Sequence, residues 1–409
     1  MSILEGNMVI AQGGGPTAVI NQSLVGAVLE ATRYPQIKQI YGALHGVRGL
    51  RDGTLVDLRA TTHANLEAIA QTPSAALLST RDKPDAAYCQ KLFEQMKARD
   101  IRYFFYIGGN DSSETVKIIG EYAQQAAYEM RVVHIPKTID NDLTVTDHTP
   151  GFGSAARFVA QAFAGANLDN RALPGVYLAV IMGRSAGFLT AASALARRYP
   201  DDGPHLIYVP EKQFVVDNFL QDVRRVYDQH GRCIIALSEG VWSELDSKGK
   251  PKPMIVSIFE QQGQEVPRDS FGHPRLGGGA LADTLVSLIT EKLQLKRVRG
   301  DTFGYLQRSF VGCVSEVDQR EAREVGQKAV QFACGLGQSG SVCMRRIGNY
   351  VVEYFLETDI SKIGGKVRHM PDEWINDAHN DVTPAFLEYA RPLIGQIPAF
   401  EQLQATPIP

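Results

Sequence analysis

Residues 132–142, with the sequence VVHIPKTIDND, join a β-branched apolar run to a proline and then to a segment with two carboxylates and a lysine. The run predicts a strand that leads into a loop, because the residue before a proline is held in an extended conformation. Open α/β sheets place their binding sites in the loops at the carboxyl ends of parallel strands. The stretch therefore predicts a parallel sheet with a functional site at its edge.

Asp140 and Asp142 repel each other at this spacing, and magnesium, a substrate hydroxyl or the nearby Lys137 would relieve the repulsion. A solvated turn, in which Asp and Asn side chains bond their own backbone, accounts for the composition equally well. The segment by itself leaves both interpretations open.

Strand-length apolar runs alternate with helix-period stretches along most of the chain, which is the pattern of βαβ units. A chain of 409 residues exceeds the size of a single core. We therefore expect an α/β fold of two Rossmann-like lobes with mostly parallel sheets flanked by helices. The predicted strands are 8–11, 103–107, 132–135, 176–182, 206–209 and 233–237, and the predicted helices are 112–126, 154–166, 186–198, 216–230, 280–293 and 319–334.

Composition excludes several classes of function. A net charge of -3 argues against a general binder of nucleic acid or anionic membranes, so any phosphate site must be local. No run reaches the roughly 18 apolar residues of a membrane span, and the N-terminus lacks the pattern of a signal peptide. The five cysteines are scattered without metal-site spacing. We expect a cytoplasmic protein with reduced thiols and no membrane or nucleic-acid partner.

Two glycine-rich loops follow predicted strands. Residues 12–18, QGGGPTA, can direct backbone N–H groups at an anion, although the loop is neither a P-loop nor a complete dinucleotide motif. A tight turn made for packing is the alternative. Residues 108–113, GGNDSS, repeat the arrangement with Asp111 at the start of the next helix, where it would serve as a helix cap or, with the second acidic loop, in a magnesium–phosphate site.

Further polar residues follow the later strands. Arg184 in Met-Gly-Arg and Glu239 in Ser-Glu-Gly each end a strand, where they would bind an oxyanion and sugar hydroxyls. Arg299 and Arg308 add guanidinium groups, with Tyr305 nearby. Arg184 or Glu239 alone is more often an ordinary surface residue, and only their shared position at strand ends favours a site.

Together these segments resemble the phosphofructokinase family. The glycine loop with Asn21, Gly-Gly-Asn-Asp-Ser, Pro-Lys-Thr-Ile-Asp-Asn-Asp, Met-Gly-Arg, Ser-Glu-Gly and Tyr-Leu-Gln-Arg stand in the family's order over residues 8 to 330. Residues 276–280, the helix after them and residues 305–308 look most like the pyrophosphate-dependent branch. The resemblance implies transfer of a phosphoryl group from pyrophosphate to the 1-hydroxyl of fructose 6-phosphate, with Mg²⁺ as cofactor.

The resemblance also implies roles for individual residues. Asp140 would be the general base, and Arg81 would stabilise the phosphoryl group in transfer. Gly14, Gly15, Gly109 and Ser112 would bind pyrophosphate, Asn110 and Asp111 would hold the metal, and Thr138, Asp142, Met182, Gly183, Arg184, Glu239, Arg299, Tyr305 and Arg308 would bind the sugar phosphate.

Two side chains indicate the phosphoryl donor. ATP-using members resemble this chain but have glycine where it has Asp111 and Lys137. A carboxylate about 4 Å from the α-phosphate of ATP would repel it by about 4 kcal/mol at an effective dielectric near 20, roughly a thousandfold in affinity. Lys137 would supply positive charge to the leaving phosphate, and a solvated lysine paired with Asp140 or Asp142 is the alternative. Asn110 departs from the commoner aspartate, which leaves the metal ligands open.

The resemblance implies that residues 1–150 with 309–409 form the donor lobe, that residues 151–308 form the sugar-phosphate lobe, and that the active site lies in the cleft between them. It also implies a homodimer or homotetramer, because in this family some phosphate-binding arginines come from a neighbouring subunit. An ATP-dependent kinase and a non-catalytic regulatory subunit of the same fold are the alternative functions.

Overall fold

Two sheets form the framework of the chain in the computed structural model, which describes residues 3–268, 274, 276–348, 350–403 and 405. The strands are β1 (Gly6–Gln12), β2 (Ile37–Ala43), β3 (Leu55–Asp57), β4 (Ile101–Gly108), β5 (Arg131–Pro136), β6 (Val176–Ile181), β7 (Leu206–Tyr208), β8 (Cys233–Ser238), β9 (Trp242–Leu245), β10 (Pro251–Pro253), β11 (Val298–Thr302), β12 (Gly340–Ile347) and β13 (Val351–Glu357).

Helices cover both faces of both sheets. They are α1 (Ile20–Ala31), α2 (Val47–Asp52), α3 (His63–Ala70), α4 (Ala86–Ala98), α5 (Asn110–Gln125), α6 (Phe152–Ala172), α7 (Phe188–Ala191), α8 (Val216–His230), α9 (Met254–Gln261), α10 (Ala280–Leu293), α11 (Glu316–Gly335) and α12 (Pro384–Ile394). Short 3-10 helices lie at Ala192–Ala196, Gly304–Arg308, Ile360–Lys362 and Asp372–Trp374.

The first sheet has the strand order β13-β12-β5-β4-β1-β2-β3, and the second has the order β11-β6-β8-β7. Only the edge strands β3 and β13 of the first sheet run antiparallel to their neighbours, and all other pairs in the two sheets are parallel. Helices α1, α3 and α11 cover one face of the first sheet and α2, α4 and α5 the other. The predicted α/β class is confirmed.

The second sheet is packed in the same way. Helices α6, α7 and α12 cover one face, and α8, α9 and α10 cover the other. Helix α12 belongs to this core, since Phe386 is fully buried and shares a cluster with Phe152 of α6. Residues 340–357, in contrast, complete the first sheet as β12 and β13. The chain after residue 309 therefore packs on both sheets, and the predicted lobe boundaries stay a prediction.

One predicted helix, at residues 186–198, is much shorter in the structure. Helix α7 ends after four residues and continues as the 3-10 helix Ala192–Ala196. The hydroxyl of Ser193 donates to Thr190 O at 2.6 Å, a local bond that competes with regular helix geometry. The helical pattern was right, but small and hydroxylated residues in a fully buried segment favoured the tighter turn.

Close backbone approach joins the start of the chain to its later part. A Cβ on Gly26 of α1 would lie 2.3 Å from Arg323 O, and one on Gly326 of α11 would lie 2.1 Å from Ser23 O. Only glycine permits this crossing of the two helices.

Helix α11 also supplies the N-terminal cap of α6, because Asp318 of α11 accepts the N–H groups of Gly151 and Ser154 at 2.8 Å. Within the described residues, no helix is both long and apolar enough to cross a bilayer.

Candidate active site

The carboxyl ends of the two sheets face each other across a cleft of about 980 Å³. Loops after β1, β4 and β5 form one wall, and loops after β6, β8 and β11 form the other. All the site residues predicted from the sequence line this cleft except Gly183 and Arg299. The strand-end argument and the family resemblance together therefore predicted residues that lie in one cleft.

The glycine loop after β1 is held by residues from two other segments. Gly14 has a positive φ of 76°, and its N–H donates to Thr80 O at 3.0 Å, while Ser79 Oγ donates to Gly14 O at 2.6 Å. These bonds place Arg81 beside the loop, where it lines the cleft. They also correct one expectation, because the N–H of Gly14 is bonded to the protein rather than directed at a phosphate.

Lys137 and Arg308 reach the same loop from opposite walls. Lys137 Nζ donates to Gly15 O at 2.7 Å, and a Cβ on Gly15 would lie 3.0 Å from Arg308 Cζ. Burial, followed by the charge of Arg308, lowers the pKa of Lys137 to about 7. The lysine is 3% exposed and is bonded to a carbonyl rather than extended into water, so the solvated-lysine alternative is wrong.

Three of the carboxylates that line the cleft have raised pKa values. Burial raises the pKa of Asp140, against the opposing charges of Arg308 and Arg184. Burial and then the charge of Asp140 raise the pKa of Asp142 to about 7, and the same two causes raise that of Glu239 to about 7. A carboxylate with a raised pKa can accept a proton near neutral pH, as a general base must.

The loop that carries Asp140 is folded back on itself. The N–H of Asp140 donates to Thr138 Oγ1 at 3.1 Å, and Asn141 has a left-handed φ of 59°. Asn141 is fully buried, and its Oδ1 accepts the N–H of Thr149 at 3.0 Å. The local side-chain bond in this turn is thus made by a threonine and not by an Asp or Asn, and the two carboxylates line the cleft, so the turn and the site coexist.

Helix α5 begins directly at the site. Its N-cap is Gly109, with no side-chain cap, so Asp111 and Ser112 do not cap the helix and that alternative is wrong. Asp111 is half exposed and lies 3.6 Å from Lys83 Nζ. Ser112 is buried, and a Cβ on Gly108 would lie 2.0 Å from Ser112 Oγ, so only glycine fits at position 108.

The same helix start offers oxygens that fit a divalent cation. Asn110 Oδ1 is buried and accepts no hydrogen bond from the described part of the chain, while Asn110 Nδ2 donates to Asp142 Oδ2 at 3.2 Å. Among the described residues, no three His, Cys, Asp or Glu side chains group together as a metal site. The chain therefore suits a cation held by one or two protein oxygens and by substrate phosphates, which is common for Mg²⁺.

The opposite wall joins two strand-end loops by close backbone contact. Gly183 has a φ of 146°, its carbonyl accepts Ser238 Oγ at 2.5 Å, and a Cβ on Gly240 would lie 2.1 Å from Arg184 O. Gly183 thus shapes the wall without lining the cleft. Met182, Arg184 and Glu239 line it, and Arg308 stacks 4.6 Å from the ring centre of the exposed Tyr305.

Arg299 does not join this group, which corrects its predicted position. It is the second residue of β11 and pairs in register with Tyr177, the second residue of β6. The amino ends of these parallel strands point away from the cleft. Arg299 instead lines a separate pocket of about 400 Å³ with Arg297 and Asp301.

Several cleft residues were missed. Lys83 stands two positions after Arg81 and beside Asp82, so the alternating charges in residues 81–83 were an available signal. Ile255 and Phe259 of α9 add an apolar wall, and Gly365 and Val367 enter from the C-terminal part of the chain. No sequence pattern distinguishes these four from ordinary core or loop residues.

Comparisons with known proteins agree with this geometry. The family model described as Phosphofructokinase matches residues 7–333. The pyrophosphate–fructose 6-phosphate 1-phosphotransferase of Rhodospirillum rubrum is 59% identical over 395 residues, which cover 96% of this chain and 95% of that protein. The protein of the same name from Xanthomonas campestris is 35% identical, covering 96% of this chain and 93% of its own.

A solved structure is similar over nearly the whole chain. The crystal structure of a pyrophosphate-dependent phosphofructokinase from Marinobacter aquaeolei superposes with a TM-score of 0.83 and 30% sequence identity. The match covers 97% of this chain and 94% of that one. The two-sheet architecture of this chain is thus similar to that of a pyrophosphate-dependent phosphofructokinase.

The lowered pKa of Lys137 predicts proton uptake when an oligophosphate binds. Above pH 7, Lys137 is mostly neutral in the protein without ligand, and a bound anion beside it raises its pKa. Binding therefore adds a proton to Lys137, and the affinity for the anion falls as pH rises. Calorimetric titration with pyrophosphate at pH 8, in two buffers of different ionisation enthalpy, measures that uptake. We expect Lys137→Met to take up fewer protons than the unaltered protein and the surface variant Lys91→Met to match it. Equal uptake in Lys137→Met would contradict the assignment.

Proposed function

The chain belongs to the phosphofructokinase family, and on that premise we propose that it reversibly transfers a phosphoryl group from pyrophosphate to the 1-hydroxyl of fructose 6-phosphate. The products are fructose 1,6-bisphosphate and phosphate. The observation that carries the proposal is the bond from Lys137 Nζ to Gly15 O in the cleft that also holds Asp140 and Asp111. It puts a cation at the donor end of the site within reach of a candidate base.

Asp140 removes the proton of the sugar 1-hydroxyl as the oxygen attacks the nearer phosphorus of pyrophosphate. The P–O bond to the other phosphate breaks, and that phosphate leaves with the bridging oxygen. Burial raises the pKa of Asp140, which favours its taking up a proton in this step. Thr138 Oγ1 accepts the N–H of Asp140, which supports the direction of the carboxylate.

The cations of the cleft compensate the charge of the reacting phosphates. Lys137 lies at the glycine loop, where it would neutralise the leaving phosphate, and Arg308 reaches Gly15 from the other wall, where it would compensate charge on the phosphoryl group in transfer. Arg81 is held beside the same loop. Preorganised cations in a cleft of low dielectric stabilise a transition state more strongly than they would in water. Arg184 and Glu239 bind the phosphate and hydroxyls of the sugar.

The reaction uses a divalent cation, and we assign it as Mg²⁺. Asn110 Oδ1 would hold it, with the Asp142 carboxylate, which accepts a bond from Asn110 Nδ2, or the carboxylate of the next residue, Asp111, as a second oxygen ligand. When bound, the cation neutralises phosphate oxygens of pyrophosphate. Asp111 also excludes ATP by placing a negative charge where the α-phosphate would lie.

We propose a cytoplasmic homodimer or homotetramer whose donor lobe is residues 1–150 with 309–409 and whose sugar lobe is residues 151–308. The position of Arg299 supports the oligomer, because this arginine lies outside its own cleft and in a separate pocket. In this family, phosphate-binding arginines are shared between subunits. The molecular mass in solution tests the oligomer, and a monomer that is fully active would overturn it.

The choice of donor is tested by a coupled aldolase assay with fructose 6-phosphate and Mg²⁺. Pyrophosphate should support turnover and ATP should not, and the reverse result would contradict the proposed function.

Asp111→Asn and Asp111→Gly should improve ATP affinity, by roughly fivefold if the charge acts through water and up to about a thousandfold in a low-dielectric site.

The matched control for this series is Glu121→Gln, which removes an exposed carboxylate from the far end of α5. Its ATP affinity should equal that of the unaltered protein. The pairing of Asp111 with Lys83 at 3.6 Å screens the charge, so the lower part of the range is expected. Unchanged ATP affinity in both Asp111 variants would contradict the exclusion argument.

Asp140→Asn should lower kcat by about 10²- to 10⁴-fold, the contribution of a general base, and leave fructose 6-phosphate binding intact. Turnover and calorimetric affinity for the sugar phosphate are the measurements, with the exposed Asp217→Asn as control. If affinity and kcat fell together, Asp140 would be a binding residue instead.

Removal of divalent cations by a chelator should abolish turnover, and added Mg²⁺ should restore it. Asn110→Ala should raise the Mg²⁺ concentration for half-maximal activity by about tenfold or more, because it removes one oxygen ligand. The KM for fructose 6-phosphate should stay unchanged. An unaltered Mg²⁺ requirement in Asn110→Ala would exclude Asn110 as a ligand.

A further inference from the structure

A segment of the C-terminal part of the chain, residues 363–370, crosses from one wall of the cleft to the other, and we name it the strap. Its first residue, Ile363, is buried with Leu143 and Cys343. Its last residue, Met370, is buried in the core of the second sheet. Between these anchors, the strap lines the cleft. It is therefore fixed at both ends and next to the site.

Arg368 supplies the hydrogen bonds of the strap to the loop of the proposed base, residues 140–147, whereas Ile363 shares an apolar cluster with Leu143 of that loop. Its backbone N–H donates to Asp142 O at 2.7 Å, and its Nη2 donates to Asn141 O at 2.7 Å. Its Nη1 donates to Thr146 O at 2.8 Å and also to the carbonyl of Asp147. These four acceptors are backbone carbonyls of one loop, and a fifth acceptor, the hydroxyl of Tyr389, lies 3.4 Å from Nη2. The arginine thus supplies to this loop hydrogen bonds that a strand or helix would otherwise supply.

That loop needs an external support. Asn141 has a φ of 59° and Val145 a φ of 71°, and the left-handed region is strained for a β-branched residue. The carbonyl of Asn141 and that of Thr146, which follows Val145, are two of those bonded by Arg368. Strained conformations persist only where the surroundings determine them. The arginine therefore holds the loop at both of its strained positions.

The other side of Arg368 faces the sugar wall. Its guanidinium lies 4.7 Å from the ring centre of Phe188, the first residue of α7. The next strap residue, His369, donates from Nδ1 to Ser185 O at 2.8 Å. Met370 N donates at 2.9 Å to Glu211 Oε1, which also accepts Gly187 N at 2.9 Å. The strap thus connects the loop of Asp140 with the loop that carries Arg184.

We propose that Arg368 is a positioning residue for phosphoryl transfer, which holds the loop of Asp140 at a fixed distance from the sugar-binding loop. The inference rests on one part of the proposed function, the assignment of Asp140 as the general base. Arg368 itself does not touch the reacting atoms. Its loss is expected to misplace Asp140 while the groups that bind the two substrates, which belong mostly to other loops, stay in place.

The test compares Arg368→Met with Arg368→Lys in the full-length protein. Methionine keeps an unbranched apolar stem over Phe188 but donates no hydrogen bond. We expect kcat to fall by about 100-fold in Arg368→Met, the loss typical of a misplacement near 1 Å, with both KM values within about threefold. Lysine has one ammonium group and cannot reach carbonyls on both sides, so Arg368→Lys should give an intermediate kcat.

The matched control is Arg346→Met. Arg346 also stacks on an aromatic ring, 4.5 Å from the centre of Tyr389, and also bonds this segment, through the carboxylate of Asp147 at 2.8 Å. In the described chain its side-chain hydrogen bonds go to the Asp147 carboxylate and to Tyr389 O, not to the backbone of residues 140–142. We expect Arg346→Met to lower the melting temperature as much as Arg368→Met and to keep kcat within about threefold.

Amide hydrogen exchange gives a readout that does not depend on turnover. Residues 140–147 should exchange faster in Arg368→Met than in the unaltered protein, while β4 and β8 should keep their protection. An equal loss of kcat in Arg368→Met and Arg346→Met, or an unchanged kcat in Arg368→Met, would overturn the inference. If Arg368→Met does not fold, Arg368→Lys decides, since a kcat equal to that of the unaltered protein contradicts the positioning role.

The assays use whichever donor, pyrophosphate or ATP, the unaltered protein accepts. Turnover with ATP alone would therefore contradict the proposed donor and still allow the variants to be compared. The two failures are thus distinguishable.

Discussion

The balance between cations and carboxylates in one partly water-excluded cleft is the constraint on which the rest of the structure depends. Burial raises the pKa values of Asp140 and Glu239 and lowers that of Lys137, so each charge is costly by itself. The cost is offset only while opposite charges stay within a few ångströms of each other. Such a site requires loops of fixed position. These loops must be held by contacts with other parts of the chain.

That support comes from parts of the chain far away in sequence. Helix α11 caps α6 through Asp318, and Glu321 of the same helix bonds His148, whose other ring nitrogen bonds Asp147. Although burial disfavours the charged ring, these two carboxylates raise the pKa of His148. The loop after β5 is therefore fastened to α11 at its far end, while Arg368 fastens its middle. The C-terminal part of the chain therefore contributes residues both to the site and to the two hydrophobic cores.

The site was predictable wherever chemistry followed a strand. Lys137, Glu239 and Arg308 come near the ends of parallel strands, and one rule of sheet geometry places such residues together. Arg299 was assigned to the sugar site by the family resemblance, and it lies elsewhere because it stands near the amino end of β11 and not at its carboxyl end. The hydrogen bond from Gly14 N–H to Thr80 O could not be predicted either, because it depends on where the separate loop that carries Thr80 packs against the glycine loop.

By itself the sequence determined the α/β alternation, the order of the strand-end loops and the two charged residues, Asp111 and Lys137, that indicate the donor. These features are local, because hydrophobic period, turn residues and side-chain charge are properties of short segments. Only the tertiary structure decided that Lys137 bonds the glycine loop and that Arg368 holds the loop of Asp140 from more than 200 positions away. Such contacts depend on the packing of whole sheets and helices, which no short segment specifies.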